Sequence, residues 1–288
     1  IRGVLPPLVD TYSAVGTVTA SVAEEAGLSP DCLVYAGVHD SNASFARYLS
    51  SGLSAPFTLV SSGTWVITMA AGAPLSGLTE AQDTLANVDV TGQPLACARF
   101  MGGREFSELC RLTGAEVDDQ ITVDDIAAQV ADQVFALPSF ARGSGPFGGS
   151  QGRLTGETGC GKALATLYLA LMLDYELDLL QAQGSVVFGN FSTKNPLMCS
   201  LLAQLRPQQQ ILLSSHEGAS TALGAWCLTR WAQPSPARLS RFDTAIPTEV
   251  NGLDAYRDQW RQQAALAGDL SAYKRLDATG SDKVVGSK

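Results

Sequence analysis

The C-terminal half of this chain alternates between two periodicities, and that alternation limits the folds open to it. Residues 185–189 and 210–214 are short apolar runs of strand length, while residues 194–205 and 218–231 carry helical patterns. Ahead of them, Leu164, Leu167, Tyr168, Leu171, Tyr175 and Leu179 keep one apolar stripe over several helical turns. The N-terminal half turns more sharply. Residues 57–61 and 64–70 read as two strands joined through Ser62-Gly63, and residues 86–90 and 94–100 as a second pair turning at Thr91-Gly92. Hairpins followed by alternating strands and helices predict an α/β domain, a mixed sheet flanked by helices.

Other segments fit around this frame. Residues 1–30 read as a connector: Leu5-Pro6-Pro7 is rigid, and Thr19 caps a short helix that stops at Gly27. The main domain is expected over residues 31–245. It opens on the apolar run 32–37, of buried-strand length, which delivers the chain to Asp40 and a helix carrying Ala43, Phe45, Ala46 and Leu49. A helix is expected from about residue 104 to 112, and residues 137–161, crowded with Gly, Pro and Ser, read as a long ordered loop. Residues 246–288 offer one amphipathic helix through Leu253, Tyr256 and Trp260, then a tail from about Gly280 expected to be disordered.

Composition removes several classes of function. A net charge of −9 argues against nucleic acid, which requires a basic face, and offers no polybasic attraction to membranes. The apolar run 163–173 is too short and too soon followed by Asp174 and Glu176 to span a bilayer. The six cysteines lie far apart with no C-x-x-C pair, so buried free thiols in a reducing, cytoplasmic compartment are expected rather than a metal site or disulfides.

Phosphoryl transfer from ATP to an alcohol needs a hydroxyl held in line with the γ-phosphate and a group that takes its proton. Gly37-Val38-His39-Asp40 places a carboxylate where a strand gives way to a helix. There the helix dipole favours the ionised form by ~0.3–1 kcal/mol. By itself, an Asp at this position is most often a cap. Ser61-Ser62-Gly63-Thr64 could hold phosphate with backbone N–H groups and hydroxyls, or be a plain hairpin turn. Trp65 reads as a packed strand residue. Gly189-Asn190, running on to Lys194, lies at a strand end opening a helix, where ligands of α/β sheets gather. Met101-Gly102-Gly103-Arg104 could admit a nucleotide to the backbone, or simply start a helix. The small residues of 218–226 permit close helix packing.

In order and spacing, from about Leu5 to Trp231, these pieces resemble the C-terminal, ATP-binding half of the FGGY family of carbohydrate kinases. The resemblance implies an actin-like, RNase H-like fold, the second domain of a two-domain sugar kinase that uses ATP and Mg²⁺. It implies that Asp40 accepts the proton of the sugar hydroxyl and that Ser62, Gly63 and Thr64 hold phosphate. By the same comparison Gly102 and Gly103 border the nucleotide, while Gly189, Asn190 and Lys194 approach the adenosine. Asn190 and Phe191 stand where the family carries small residues. The Ser-Gly-Thr-Trp strand is most similar to the rhamnulokinase and fuculokinase branches, which points to a deoxy-ketose. The family's first domain, with its Asp-x-Gly-Thr loop and metal-proximal carboxylates, has no counterpart here, so the isolated chain is expected to be inactive. Many members form homodimers, but no segment identifies an interface.

Two rivals stand beside this reading. One is a non-catalytic actin-like module that binds nucleotide or a partner. The other is an actin-like phosphotransferase outside the family, which would lack the His39-Asp40 and Ser62-Gly63-Thr64 pattern. A cysteine hydrolase fails because His39 and His216, the two histidines of the chain, have no clear nucleophile.

Overall fold

The computed structural model describes residues 7–189, 195–214, 220–232 and 241–280, with side chains to residue 266. The strands β1 (Ala14–Thr17) and β2 (Leu33–Tyr35), with α1 (Ala20–Ala26) between them, form a separate two-stranded ribbon. Helix α2 (Asp40–Ser50) leads into the hairpins β3 (Phe57–Ser62)–β4 (Val66–Ala71) and β5 (Thr84–Val88)–β6 (Pro94–Phe100). Next come α3 (Gly102–Thr113), α4 (Val123–Ala131) and a loop-rich stretch holding β7 (Ala136–Leu137) and β8 (Arg153–Leu154). The remainder alternates through α5 (Gly161–Leu179), β9 (Ser185–Phe188), α6 (Pro196–Leu205), β10 (Ile211–Ser214), α7 (Ser220–Leu228), β11 (Phe242–Thr244) and α8 (Leu253–Gly280).

Seven strands make one mixed sheet in the order β11-β10-β9-β3-β4-β6-β5. β3, β9 and β10 are parallel, whereas β4 is antiparallel to both β3 and β6. The carboxyl ends of β3, β6, β9 and β10 therefore share one edge of the sheet.

Alternation along the strands sorts the side chains onto two faces. Phe57 and Leu59, Met69 and Ala71, Leu95 and Cys97, and Val187 bury against Phe45 and Tyr48 of α2. Val60, Val66, Ala70, Ala98, Phe100 and Phe188 bury on the other face with α3, α5, α6 and α8. Each fully buried Leu or Phe side chain contributes ~1.5–3 kcal/mol. α5 is apolar nearly all round because the sheet covers one side and other helices the rest. The Leu253–Tyr256–Trp260 stripe of α8 enters the same core, where Trp260 donates its Nε1–H to the Ala136 carbonyl at 2.7 Å. Over the opposite face α7 crosses α2 so closely that a Cβ on Gly224 would lie 1.7 Å from the Ala43 carbonyl oxygen. Gly224 is thus the packing residue of this stretch, whereas Thr221, Ala222 and Ala225 stay exposed.

Some expectations are corrected. The run 32–37 forms no buried strand of the main sheet. Among the described residues β2 pairs with β1 alone, and Leu33 and Val34 stay exposed because no described layer covers them. Helix α4 was not expected, although its reciprocal capping box between Thr122 and Asp125 is written in the sequence. Trp65 lies in the β3–β4 turn and not in a strand. The expected tail, residues 281–288, lies outside the described residues.

Candidate active site

The β3–β4 turn and the start of α3 meet at the carboxyl edge of the sheet. Phe100 ends β6, and α3 begins two residues later with Gly102 and Gly103. A Cβ on Gly103 would stand 2.2 Å from the Gly63 carbonyl oxygen, and one on Gly102 would stand 2.5 Å from Val66 Cγ2. Only glycine lets the helix start touch the turn. Two segments singled out separately in the sequence are thus one structure.

Donors at this junction are unevenly used. Gly63 N–H is spent on the Trp65 carbonyl at 2.8 Å, so it is not free for a ligand. Among the described residues the buried Ser62 hydroxyl has no partner, and Thr64 is exposed. The first N–H groups of α3 have no intrahelical acceptor, and the helix dipole makes its start attractive to an anion. The chemistry of the junction suits an anion, since an unpartnered hydroxyl and a helix N-terminus both belong to it, while Gly102 and Gly103 serve the close packing.

Gly189 follows β9 at the same edge. Its N–H donates to the Val60 carbonyl at 3.3 Å, placing it beside the end of β3. Asn190 and Lys194 lie outside the described residues.

Asp40 does not touch this edge. It is the first residue of α2, on the face of the sheet that α2 covers, and its side chain is 72% exposed. Gly37, at φ +86°, turns the chain into the helix. Asp40 Oδ1 accepts the Ser41 N–H at 2.6 Å and lies 2.9 Å from His39 Nδ1. Half of the carboxylate is tied down, as a cap would be, and the rest faces outward.

A cleft of about 420 Å³ lies on the α2 face of the sheet, lined by the residues on either side of Asp40 but by neither Asp40 nor the glycine junction. His39, Ser41 and Asn42 form one wall, Ile67, Met69 and Leu85 the apolar floor, and Asn87 and Arg99 the far rim. Asn42 is fixed by donating to the Val88 carbonyl at 2.6 Å and accepting from Asn87 at 3.0 Å. The Arg99 guanidinium stacks on the Trp65 ring at 5.2 Å and pairs with Asp83 at 2.8 Å, linking the cleft to the turn. Cys97 also lines the cleft, and burial pushes its thiol up to about 12, so it is neutral and unreactive there. Sequence reasoning missed Asn87, Arg99 and the role of Trp65, because only the β5–β6 register sets Asn87 and Arg99 on the cleft, and Trp65 joins it through its stack with Arg99.

Two carboxyl groups lie behind this assembly. Glu105, in the first turn of α3, is wholly buried; burial pushes its pKa up to about 7 against the opposing bonds from Tyr168 and the Phe140 N–H. Glu176 of α5 is equally buried and pushed up to about 8, with Thr68 donating to its Oε2 at 2.7 Å. No sequence signal marks either as special.

The family model for the carbohydrate kinase FGGY C-terminal domain matches residues 54–237. The chain belongs to the FGGY carbohydrate kinases. Its mixed sheet is the actin-like, RNase H-like fold that the resemblance implied. Among solved structures, a carbohydrate kinase from Novosphingobium aromaticivorans is 31% identical with a TM-score of 0.73, over 91% of this chain and 57% of that one. A xylulose kinase from Rhodospirillum rubrum is 19% identical with a TM-score of 0.67, over 93% and 57%. The Plasmodium falciparum glycerol kinase with ADP is 14% identical with a TM-score of 0.64, over 95% and 56%. These last two show the fold alone. This FGGY chain spans a little over half the length of the structures it matches. No curated protein sequence matches it.

Proposed function

We propose that this chain is the nucleotide-binding, base-carrying part of an ATP-dependent sugar kinase. The observation that carries the reading is the direct contact of the Gly63 turn with the Gly103 helix start, to which Arg99, on the rim of the cleft beside Asp40, is linked by its stack on Trp65. A kinase needs a place for phosphate, a place for the acceptor and a base at the far end of the acceptor. In this reading Ser62, Thr64 and the first N–H groups of α3 donate to phosphate oxygens, with Gly102 and Gly103 bordering the nucleotide. Gly189, Asn190 and Lys194 are assigned to its adenosine part. The acceptor lies along the cleft, its carbons on Ile67, Met69 and Leu85, its hydroxyls facing His39, Asn87 and Arg99. Asp40 takes the proton as the acceptor oxygen bonds to the γ-phosphorus and the bridging oxygen leaves with its electron pair on ADP.

Among the described residues no group of three His, Cys, Asp or Glu side chains is placed to hold a metal ion. Mg²⁺ is accordingly assigned to the nucleotide's phosphates, where it screens their charge. The six free thiols favour a reducing compartment, the cytoplasm. The matched structures are longer, and we assign the rest of such a protein to closing the cleft. By itself this chain is expected to bind adenine nucleotide weakly and phosphorylate nothing.

The test is ADP formation from ATP and Mg²⁺ across ketoses and polyols, deoxy-ketoses foremost, using the full reading frame that contains this chain. Sugar-dependent ADP release that falls by ~10²–10⁴ in Asp40→Asn is expected, the range for loss of a general base. Nucleotide binding without release on any sugar would instead identify a non-catalytic module.

A further inference from the structure

Glu105 is buried where an apolar residue would cost far less. A wholly buried carboxyl must be compensated by hydrogen bonds, and one oxygen of this one, Oε1, has no partner. The other, Oε2, accepts the Tyr168 hydroxyl of α5 and the Phe140 N–H at 3.3 Å. The Phe140 ring also stands edge-on to Tyr168 at 5.5 Å. Glu105 thus joins the first turn of α3 to α5 and to the loop through Phe140. α5 is bonded a second time, through Glu176, to Thr68 of β4, the strand that leaves the Gly63 turn. Both supports of the turn, α3 and β4, are therefore tied to one buried helix by carboxyl–hydroxyl bonds.

The location gives the bond its consequence. Glu105 lies two residues from Gly103, whose backbone meets the Gly63 carbonyl with no room for a methyl group. Any shift or rotation of the start of α3 must pass directly to the turn. We propose that Glu105 is a positioning residue for phosphoryl transfer, locking the first turn of α3 onto α5 through Tyr168 so that the Gly63–Thr64 turn is held in its phosphate-binding place. This rests on the kinase reading of the site.

The test uses the full reading frame containing this chain, with Glu105→Ala, Glu105→Gln and Tyr168→Phe, and measures ADP affinity by titration calorimetry alongside kcat and both KM values. Glu105→Ala is expected to weaken ADP binding and raise KM for ATP about tenfold, while KM for the acceptor stays within about twofold. Glu105→Gln, which keeps the acceptor oxygen, restores the nucleotide constants. Tyr168→Phe, a change of one hydroxyl, moves them in the same direction by a smaller factor. A merely structural role would lower Tm and leave ADP affinity and KM for ATP unchanged at temperatures well below it. That result in Glu105→Ala, or in Tyr168→Phe should Glu105→Ala not fold, overturns the inference. A wild-type protein that binds no adenine nucleotide would overturn the kinase reading first and the inference with it; a wild type that binds, with variants that bind equally, overturns the inference alone.

Discussion

Two hairpin turns at opposite edges of the same sheet both look like Gly-containing connectors, yet they are built on opposite principles. In the β5–β6 turn, Gly92 sits at φ +81° with nothing near its missing Cβ, so glycine is there for its own backbone. Asp89 Oδ1 accepts from the Thr91 N–H at 2.8 Å, its hydroxyl at 2.7 Å and the Gln93 N–H at 2.9 Å. That turn is closed on itself. In the β3–β4 turn, Gly63 does not adopt the left-handed region, the Ser62 hydroxyl is left without a partner, and glycine is demanded at Gly103 in another element. A turn that satisfies its own polar groups is scaffold. One that leaves a buried donor unspent and is braced from outside is a candidate site.

The comparison can be broken in several ways, and the largest effect expected is on pH dependence. The acids behind the β3–β4 turn have pKa values raised by burial, Glu105 to about 7 and Glu176 to about 8. The folded state therefore holds more protons than the unfolded one above the ordinary carboxyl range. Their contribution is full below about 4.5 and is lost as pH rises through 7 to 8. Unfolding free energies from urea titrations between about pH 5 and 8.5 should fall by on the order of a few kcal/mol in the wild type and stay flat in a Glu105→Gln/Glu176→Gln double variant. A flat wild-type profile would remove this contrast.

Gly103→Ala comes next. Its methyl must displace the Gly63 carbonyl, and a shift of about 1 Å at a reacting group costs about 100-fold in kcat/KM. Gly92→Ala, strained only in its own backbone, should lower Tm and leave kcat/KM unchanged. Equal kinetic losses in both variants would contradict the distinction between the turns. Asp89→Ala should then cost about 2 kcal/mol of stability, because three donors lose a charged acceptor, without altering nucleotide affinity. Smallest is Ser62→Ala: an unpartnered hydroxyl stabilises nothing, so Tm should hold or rise slightly, while ATP affinity falls about fivefold, roughly one hydrogen bond.

Most of the fold was legible because it rests on periodicity. β3, β4, β6, β9, β10 and α5 follow the strand and helix spacings of their apolar residues closely. The misreading of β2 shows the limit. An apolar run declares a strand, but whether a layer covers it is decided by the rest of the molecule. Of the candidate site, the glycines at 63, 102 and 103 were legible as local features, but their contact was not, since nothing in either segment encodes the other. Glu105 and Tyr168 were invisible for the same reason: each reads as an ordinary helical residue until α3 and α5 are packed together.

The central claim is that phosphate is held where the Gly63 turn meets the start of α3. A crystal structure of the full protein with a non-hydrolysable ATP analogue and Mg²⁺ tests it most directly. The account predicts phosphate oxygens within hydrogen-bond reach of Ser62 Oγ and the first N–H groups of α3, with the γ-phosphate directed toward the cleft beside Asp40. Phosphates bound elsewhere, with the Ser62 hydroxyl still unpartnered, would contradict it.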